Sequence, residues 1–380
     1  MRKVVTVSKY SKYERLSRIF RLIVIALLII FAIVMLIFGR KYLTSANFKF
    51  FAKNMSVEPF VTKENYTDIK YDNYYGTQFY SYDDKIAIND NNEIFVYSPS
   101  GTLINKLKVN KDTKVNTEGK YICVYDSTRC VVYNSFSEML NFSSPMGEII
   151  SGVKSDNSNF ITMTTQGNAN ASAVKVYMNN FGLIYEWRSN DKYAVSTSIQ
   201  ESGKAIAILS KTVENGSDAA YLTVANIKNG EILHTEIFED EIPIEVRYSG
   251  TRITLVTNKC VRFCTDKDYA WNSDSIRGTY EGCYVFDNCI CTVSINNYGN
   301  RLVNIFSLKG NSVGYSEYDY KIVDIKEASG NLYLISADGS VFKQSGSDKE
   351  TLISDSQIRS LLDVNDVIYY VDGEGCHKMK

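Results

Sequence analysis

The chain has 380 residues, with 42 basic and 43 acidic side chains, a formal net charge of −1, and 44% hydrophobic and 13% aromatic content. The near-neutral total hides an uneven split: nine basic residues and one acidic residue precede residue 42, leaving 33 basic against 42 acidic, a net charge near −9. So acidic a remainder lacks the basic footprint that nucleic-acid binding needs, which argues against that class of partner.

Residues 1–18 form a basic tail carrying Arg2, Lys3, Lys9, Lys12, Arg15 and Arg18 against Glu14 alone. The run Leu22–Phe38 that follows has no charge and no proline. Its seventeen residues make roughly 26 Å of helix, and extension back to Ile19 reaches the ~30 Å hydrocarbon core. Arg21 then snorkels to the headgroups. The sequence therefore predicts a single transmembrane helix over 19–39. The denser positive cluster precedes it, which places the N-terminus in the cytoplasm and the rest outside. A cleaved signal peptide is the lesser reading, because the apolar run exceeds the usual length of such segments.

Residues 40–64 read as a juxtamembrane stalk. Its Phe48, Phe50 and Phe51 sit either at headgroup level or beneath the following domain.

From residue 65 to 380, short β-branched and aromatic runs alternate with Gly, Asn, Asp and Ser turns, the pattern of an all-β domain. A unit recurs in which an apolar–aromatic pair closes a strand before a polar turn. Its marks are Val96-Tyr97, Val132-Tyr133 and Val176-Tyr177, with weaker copies at Val224-Ala225, Arg262-Phe263, Ile305-Phe306 and Val341-Phe342. Upstream of each lies a buried-type strand, such as 85–88, 121–124 or 205–209, and an eighth lies at 367–370. Spacings near forty residues match four-stranded propeller blades. The expected fold is an all-β propeller of eight blades, with seven as the alternative count. The last unit, from Ile358, is too short for four strands, so a strand near Tyr66–Lys70 is expected to complete it and leave no open edge.

All eight cysteines follow residue 41. Cys289 and Cys291 point to one face of a strand, and Cys260 and Cys264 lie too far apart along another to bridge. The expectation is mostly reduced, buried thiols acting as small hydrophobes, with long-range disulfide pairs as the alternative.

Catalytic signatures are missing: there is no Gly-rich phosphate loop, no HExxH and no nucleophile elbow. His234 lies in an alternating strand and reads as solvent-facing, while His377 beside Cys376 lacks the companion ligands of a zinc site. Acidic turns at 89–93, 363–366 and 372–374 read as hairpin turns rather than cation loops. Asn65-Tyr-Thr67 and Asn215-Gly-Ser217 match the glycosylation triplet by coincidence. Trp187 and Trp271 each end an outer strand and read as packing between blades, with a binding face as the alternative. Lys154, Glu245, Arg247, Arg277 and Lys326 are candidates to edge the central channel. No catalytic, cofactor or metal residue is assigned, and no cofactor is expected.

The order of basic tail, single span, stalk and Val/Ile–Tyr/Phe repeat resembles that of membrane-anchored β-propeller proteins of clostridia-type bacteria, a family with a domain of unknown function. The resemblance covers the whole chain and implies a propeller outside the cell membrane. It is similar more loosely to WD-type and quinoprotein-like propellers, although their Trp-Asp and Trp-docking motifs are missing here. The leading functional expectation is a non-catalytic scaffold of the cell envelope that binds a protein or wall component. The alternatives are a hydrolase or lyase at the channel, and a ligand sensor.

Overall fold

A computed structural model describes residues 17, 19–27, 29, 69 and 77–379, except 83–84, 91, 99–100, 111–112, 118–120, 134–137, 145–146, 157–159, 168–170, 179–181, 287, 309–310, 354–357 and 365. Two compact units divide the chain, residues 1–59 and 60–380. In the first, residues 17, 19–27 and 29 are helical. Ile19, Phe20, Leu22, Ile23, Ile25, Leu27 and Ile29 stand exposed along this segment. Among the described residues no helix is long and apolar enough to cross a membrane. The rest of the expected span 19–39 lies outside the described residues, as do the stalk 40–64 and all of the tail but residue 17.

The second unit is an eight-bladed β-propeller. Seven four-stranded antiparallel sheets occupy residues 78–108, 114–143, 148–189, 193–239, 243–275, 279–318 and 322–353, and a three-stranded sheet occupies 360–378. They are numbered one to eight here in chain order. Each is a simple meander with consecutive strands as neighbours. The first strands of sheets four and five touch, as do those of seven and eight and of eight and one, so first strands form the inner wall.

Second strands, and the third strands of several sheets, are largely buried on both faces because sheets stack against sheets around the ring. Ile86, Ala87 and Ile88 of sheet one are all buried, as is all of Ser172–Tyr177 of sheet three. Strands buried on both sides read as continuous apolar runs rather than as alternation. Eight apolar clusters fill the eight seams, each drawn from two adjacent sheets.

The apolar–aromatic pairs have a structural meaning. Between third and fourth strands, the register shifts at Val96/Tyr97, Val132/Tyr133, Val176/Tyr177, Val224/Ala225, Ile305/Phe306 and Val341/Phe342. The repeat visible in the sequence is thus a β-bulge, which bends and twists the outer strand at one point in each of these six blades. Sheet five departs from this, since Arg262 and Phe263 pair with Ser273 and Asn272 in unbroken register.

Sheet eight is completed by Ile69. Its N–H donates to the Cys376 carbonyl at 3.0 Å, and the Cys376 N–H donates back to the Ile69 carbonyl at 2.9 Å, in antiparallel pairing. The side chain is buried in the seam between sheets eight and one, among Ile86, Ile88, Leu362 and Tyr369. A residue from before sheet one therefore lies beside the last strand of the chain and shuts the ring.

No disulfide joins the eight cysteines; Cys123, Cys130, Cys264, Cys291 and Cys376 are buried and the others half-buried. Burial pushes the Cys130 and Cys264 thiols up to about 12. Native protein is expected to leave Cys130, Cys264 and Cys291 unalkylated by iodoacetamide at pH 7.5, a pH about one unit under the reference cysteine pKa, where thiolate is already the minor form. All eight should alkylate after unfolding without reductant. Peptide mass spectrometry checks both states, and a residue that labels only after reduction would contradict the thiol assignment.

Candidate functional site

The inner wall is shaped by a second bulge. In sheets three to seven the pairing of first and second strands skips one residue: Ser151, Val195, Ile244, Glu281 and Val323. The residue just after each bulge then takes an equivalent place around the ring. These are Gly152, Ser196, Glu245, Gly282 and Asp324. Sequence reasoning named only Glu245 among them, because a bulge depends on the partner's register and leaves no local mark.

Two of these positions carry charge. Glu245 accepts a hydrogen bond from the Ser196 hydroxyl at 2.7 Å, and Lys154 of sheet three reaches past sheet four to within 3.6 Å of it. The Ser196 oxygen in turn accepts from the Val246 N–H, and the Ser198 oxygen from the Tyr248 N–H. These bonds clip the first strands of sheets four and five together. In sheet seven Asp324 lies 3.4 Å from Lys326 and accepts from the Ile325 and Leu361 N–H groups, the latter in sheet eight. Burial pushes the Asp324 carboxyl up, against the pull of Lys326 and these N–H bonds.

Of the sequence candidates, Lys154 and Glu245 therefore meet, and Lys326 meets Asp324 instead. Arg247 lies two residues beyond Glu245 on the first strand of sheet five, Pro243–Ser249. Arg277 is not at the channel; its guanidinium lies over the Tyr315 ring at 5.2 Å, on the outer strand of sheet six.

Beside the Lys154–Glu245 pair the inner wall opens into a recess of about 260 Å³. Its polar lining includes Asn116, Tyr125, Ser151, Thr164, Ser196 and Thr197. The gap arises because the first strand of sheet four packs on sheet five along one side, but on the other rests mainly against the second and third strands of sheet three. Gly152 borders it. A Cβ built there would meet nothing within 4 Å, and its φ is outside the left-handed region. Glycine inside a strand costs about 0.5–1 kcal/mol relative to alanine, and here neither backbone nor crowding requires it.

A second feature lies at one end of the ring. The middle strands of sheet four, Ala205–Glu214 and Ser217–Asn226, have ten residues each, longer than the middle strands of the other sheets. Asn215 and Gly216 join them with φ of 50° and 84°, the two positive values that a tight two-residue hairpin turn demands. The hairpin outruns the first strand, which begins at Tyr193 opposite Lys211. A depression of about 380 Å³ there includes Lys192, Tyr193, Val213, Tyr221 and Ile237 in its lining. Tyr193, Val213 and Ile237 are 50%, 64% and 42% exposed, a concentration of apolar surface on one blade.

The seam between sheets four and five accounts for two other sequence candidates. His234 is half-buried rather than solvent-facing, because the 266–271 loop of sheet five folds over its strand: its ring stacks on Tyr269 at 4.0 Å and meets Glu236 at 3.0 Å. Trp271 precedes, rather than ends, the outer strand Asn272–Ser275; it packs edge-on against Phe238 and donates to Glu236 at 2.5 Å. Trp187, within its outer strand, packs in the seam between sheets three and four. Deeper in the seam between sheets four and five, Arg262 grips Glu241 with two nitrogens, and Thr257 donates to the same carboxylate at 2.6 Å. His377 contacts Asp372 at 3.1 Å, and Asp372 also accepts from the Glu374 and Gly375 N–H groups. That acidic turn is thus held by its own backbone. Among the described residues no group of three or more His, Cys, Asp or Glu is placed to hold a metal ion.

No family model and no curated protein matches the chain. Solved structures do. The chain is similar to the computationally designed Ika8 protein, at 11% identity and a TM-score of 0.58, over 82% of this chain and 98% of that one. It is similar to Sqt1 of Saccharomyces cerevisiae at 9% identity and 0.58, covering 82% and 96%. It is also similar to BamB from Moraxella catarrhalis at 9% and 0.52, covering 82% and 97%. Likeness at such identities establishes the propeller fold alone.

Proposed function

We propose that the protein is a membrane-anchored interaction scaffold whose ring, outside the cytoplasmic membrane, docks a partner protein on the projecting hairpin of sheet four. The observation that carries this reading is the apolar surface of Tyr193, Val213 and Ile237 around a depression on a closed ring. Apolar surface gathered around a depression marks an interaction site, and propeller loops sit on a rigid support. Anchoring rests on the uncharged run Leu22–Phe38, the basic residues before it, and the exposed apolar helical residues 19–29. The lysine beside each channel carboxylate, at 3.6 and 3.4 Å, suits a structural wall.

The test is mild cross-linking of intact cells, followed by capture of the full chain from membranes. Wild type is expected to recover a specific protein, and the double variant Val213→Lys, Ile237→Lys to lose it by about tenfold, the equivalent of 1.4 kcal/mol. Recovery of nothing specific removes the scaffold reading. Equal recovery by the variant removes the hairpin face.

A further inference from the structure

The recess between sheets three and four is a cavity whose border the fold leaves open at Gly152. The residue equivalent to Gly152 is Ser196 in sheet four, Glu245 in sheet five, Gly282 in sheet six and Asp324 in sheet seven. The ring therefore accepts a side chain at this position, and in sheet three a Cβ would enter open space. A glycine within a strand that no turn and no crowding calls for marks a place where something else approaches the backbone.

The lining says what that is. Ser151 donates to the Thr164 carbonyl, Thr197 to the Thr162 oxygen and Ser196 to Glu245, and each hydroxyl that donates within the protein keeps an oxygen able to accept. Lys154 and Glu245 at the flank are opposite in sign and lie 3.6 Å apart, so the recess has no net charge to favour an ion. An apolar ligand would leave the remaining acceptor capacity of these oxygens unused and cover it from water. Tyr125 and the 48% exposed Val195 supply the apolar faces. Many two-way hydrogen-bonding groups, a balanced charge pair and a little apolar surface match a neutral polyol whose ring has hydroxyl edges and C–H faces. We infer that the recess at Gly152 binds one unit of an uncharged saccharide, held by the Ser and Thr hydroxyls of sheets three and four and by the Lys154–Glu245 pair. This site is separate from the hairpin face and does not depend on it.

The experiment uses the full chain in a detergent without a sugar headgroup, applied to an array of neutral oligosaccharides: β-linked N-acetylhexosamines, α- and β-glucans and galactans. Acidic oligosaccharides and Ser-rich peptides are the comparison probes. Wild type should retain at least one neutral series. Gly152→Leu should weaken that binding by about tenfold or more while melting at or above the wild-type temperature, since its side chain fills the space a ligand would take. Gly152→Ser, which copies the residue that sheet four carries at this position, should give an intermediate loss and decides the matter if the leucine variant fails to fold. Retention of no neutral oligosaccharide overturns the inference, as does retention of the acidic or peptide probes alone, or binding that neither variant changes.

Discussion

Replacing Ile69 by aspartate is expected to destabilise the ring by about 3–5 kcal/mol, because it places a charge in the seam between the first and last sheets. The wild-type side chain is only 3% exposed and packs among Ile86, Ile88, Leu362 and Tyr369. With total stabilities of about 5–15 kcal/mol, that is a large share from a residue far from the last sheet in sequence. Ile69→Val, which keeps both backbone hydrogen bonds, should cost only about 0.5–1.5 kcal/mol. Thermal unfolding compares them, and amide exchange at Tyr369, Tyr370 and Cys376 should quicken in the aspartate variant. A melting temperature within about 2 °C of wild type would mean that the seam closes without Ile69.

The second large effect is expected at the Glu241–Arg262 pair. Both side chains are nearly buried, at 10% and 13% exposed, and Arg262 also lies over the Phe238 ring at 4.5 Å. Glu241→Gln leaves the guanidinium buried without its counter-charge and should cost about 3–5 kcal/mol, whereas Glu241→Leu combined with Arg262→Met should recover most of the loss. Burial alone pushes the Glu241 carboxyl up, but the hydrogen bonds from Arg262 and Thr257 and the charge of Arg262 outweigh it and hold the carboxyl below its ordinary range. A carboxyl whose folded pKa is depressed adds stability that is fully present above its unfolded pKa of about 4.3 and is lost as pH falls through the folded value. Urea unfolding across the acid range should therefore show wild type losing stability below about pH 4.3 and Glu241→Gln losing less. Parallel curves would assign the acid sensitivity elsewhere.

What the sequence made legible were the strands buried on both faces. Tyr121–Val124 and Ala205–Leu209 are continuous apolar runs and Ile253–Val256 is broken only by Thr254, and each belongs to the second strand of its sheet or adjoins it. The paired marks stood out because the same outer bulge recurs in six sheets, and the eight buried-type strands correspond to the eight sheets. The flanking strands were harder to see. Lys114–Asn116 has three residues, and Asn272–Ser275 is mostly exposed and wholly polar. Neither carries a hydrophobic period. The inner wall was hidden for another reason. Gly152 and Asp324 gain meaning only through the residue skipped before them, and that skip is set by the neighbouring strand. His234 misled because alternation within one strand says nothing about a loop of the next sheet lying over it.

The pairing of Ile69 with Cys376 also fixes where mechanical load would enter. Ile69 runs antiparallel to the strand Cys376–Lys378 and is joined to it by two backbone hydrogen bonds, both with Cys376. A pull applied at Ile69 would fall first on those two bonds. Force would thus be felt first at the clasp, with the other seven sheets shielded until it gave way.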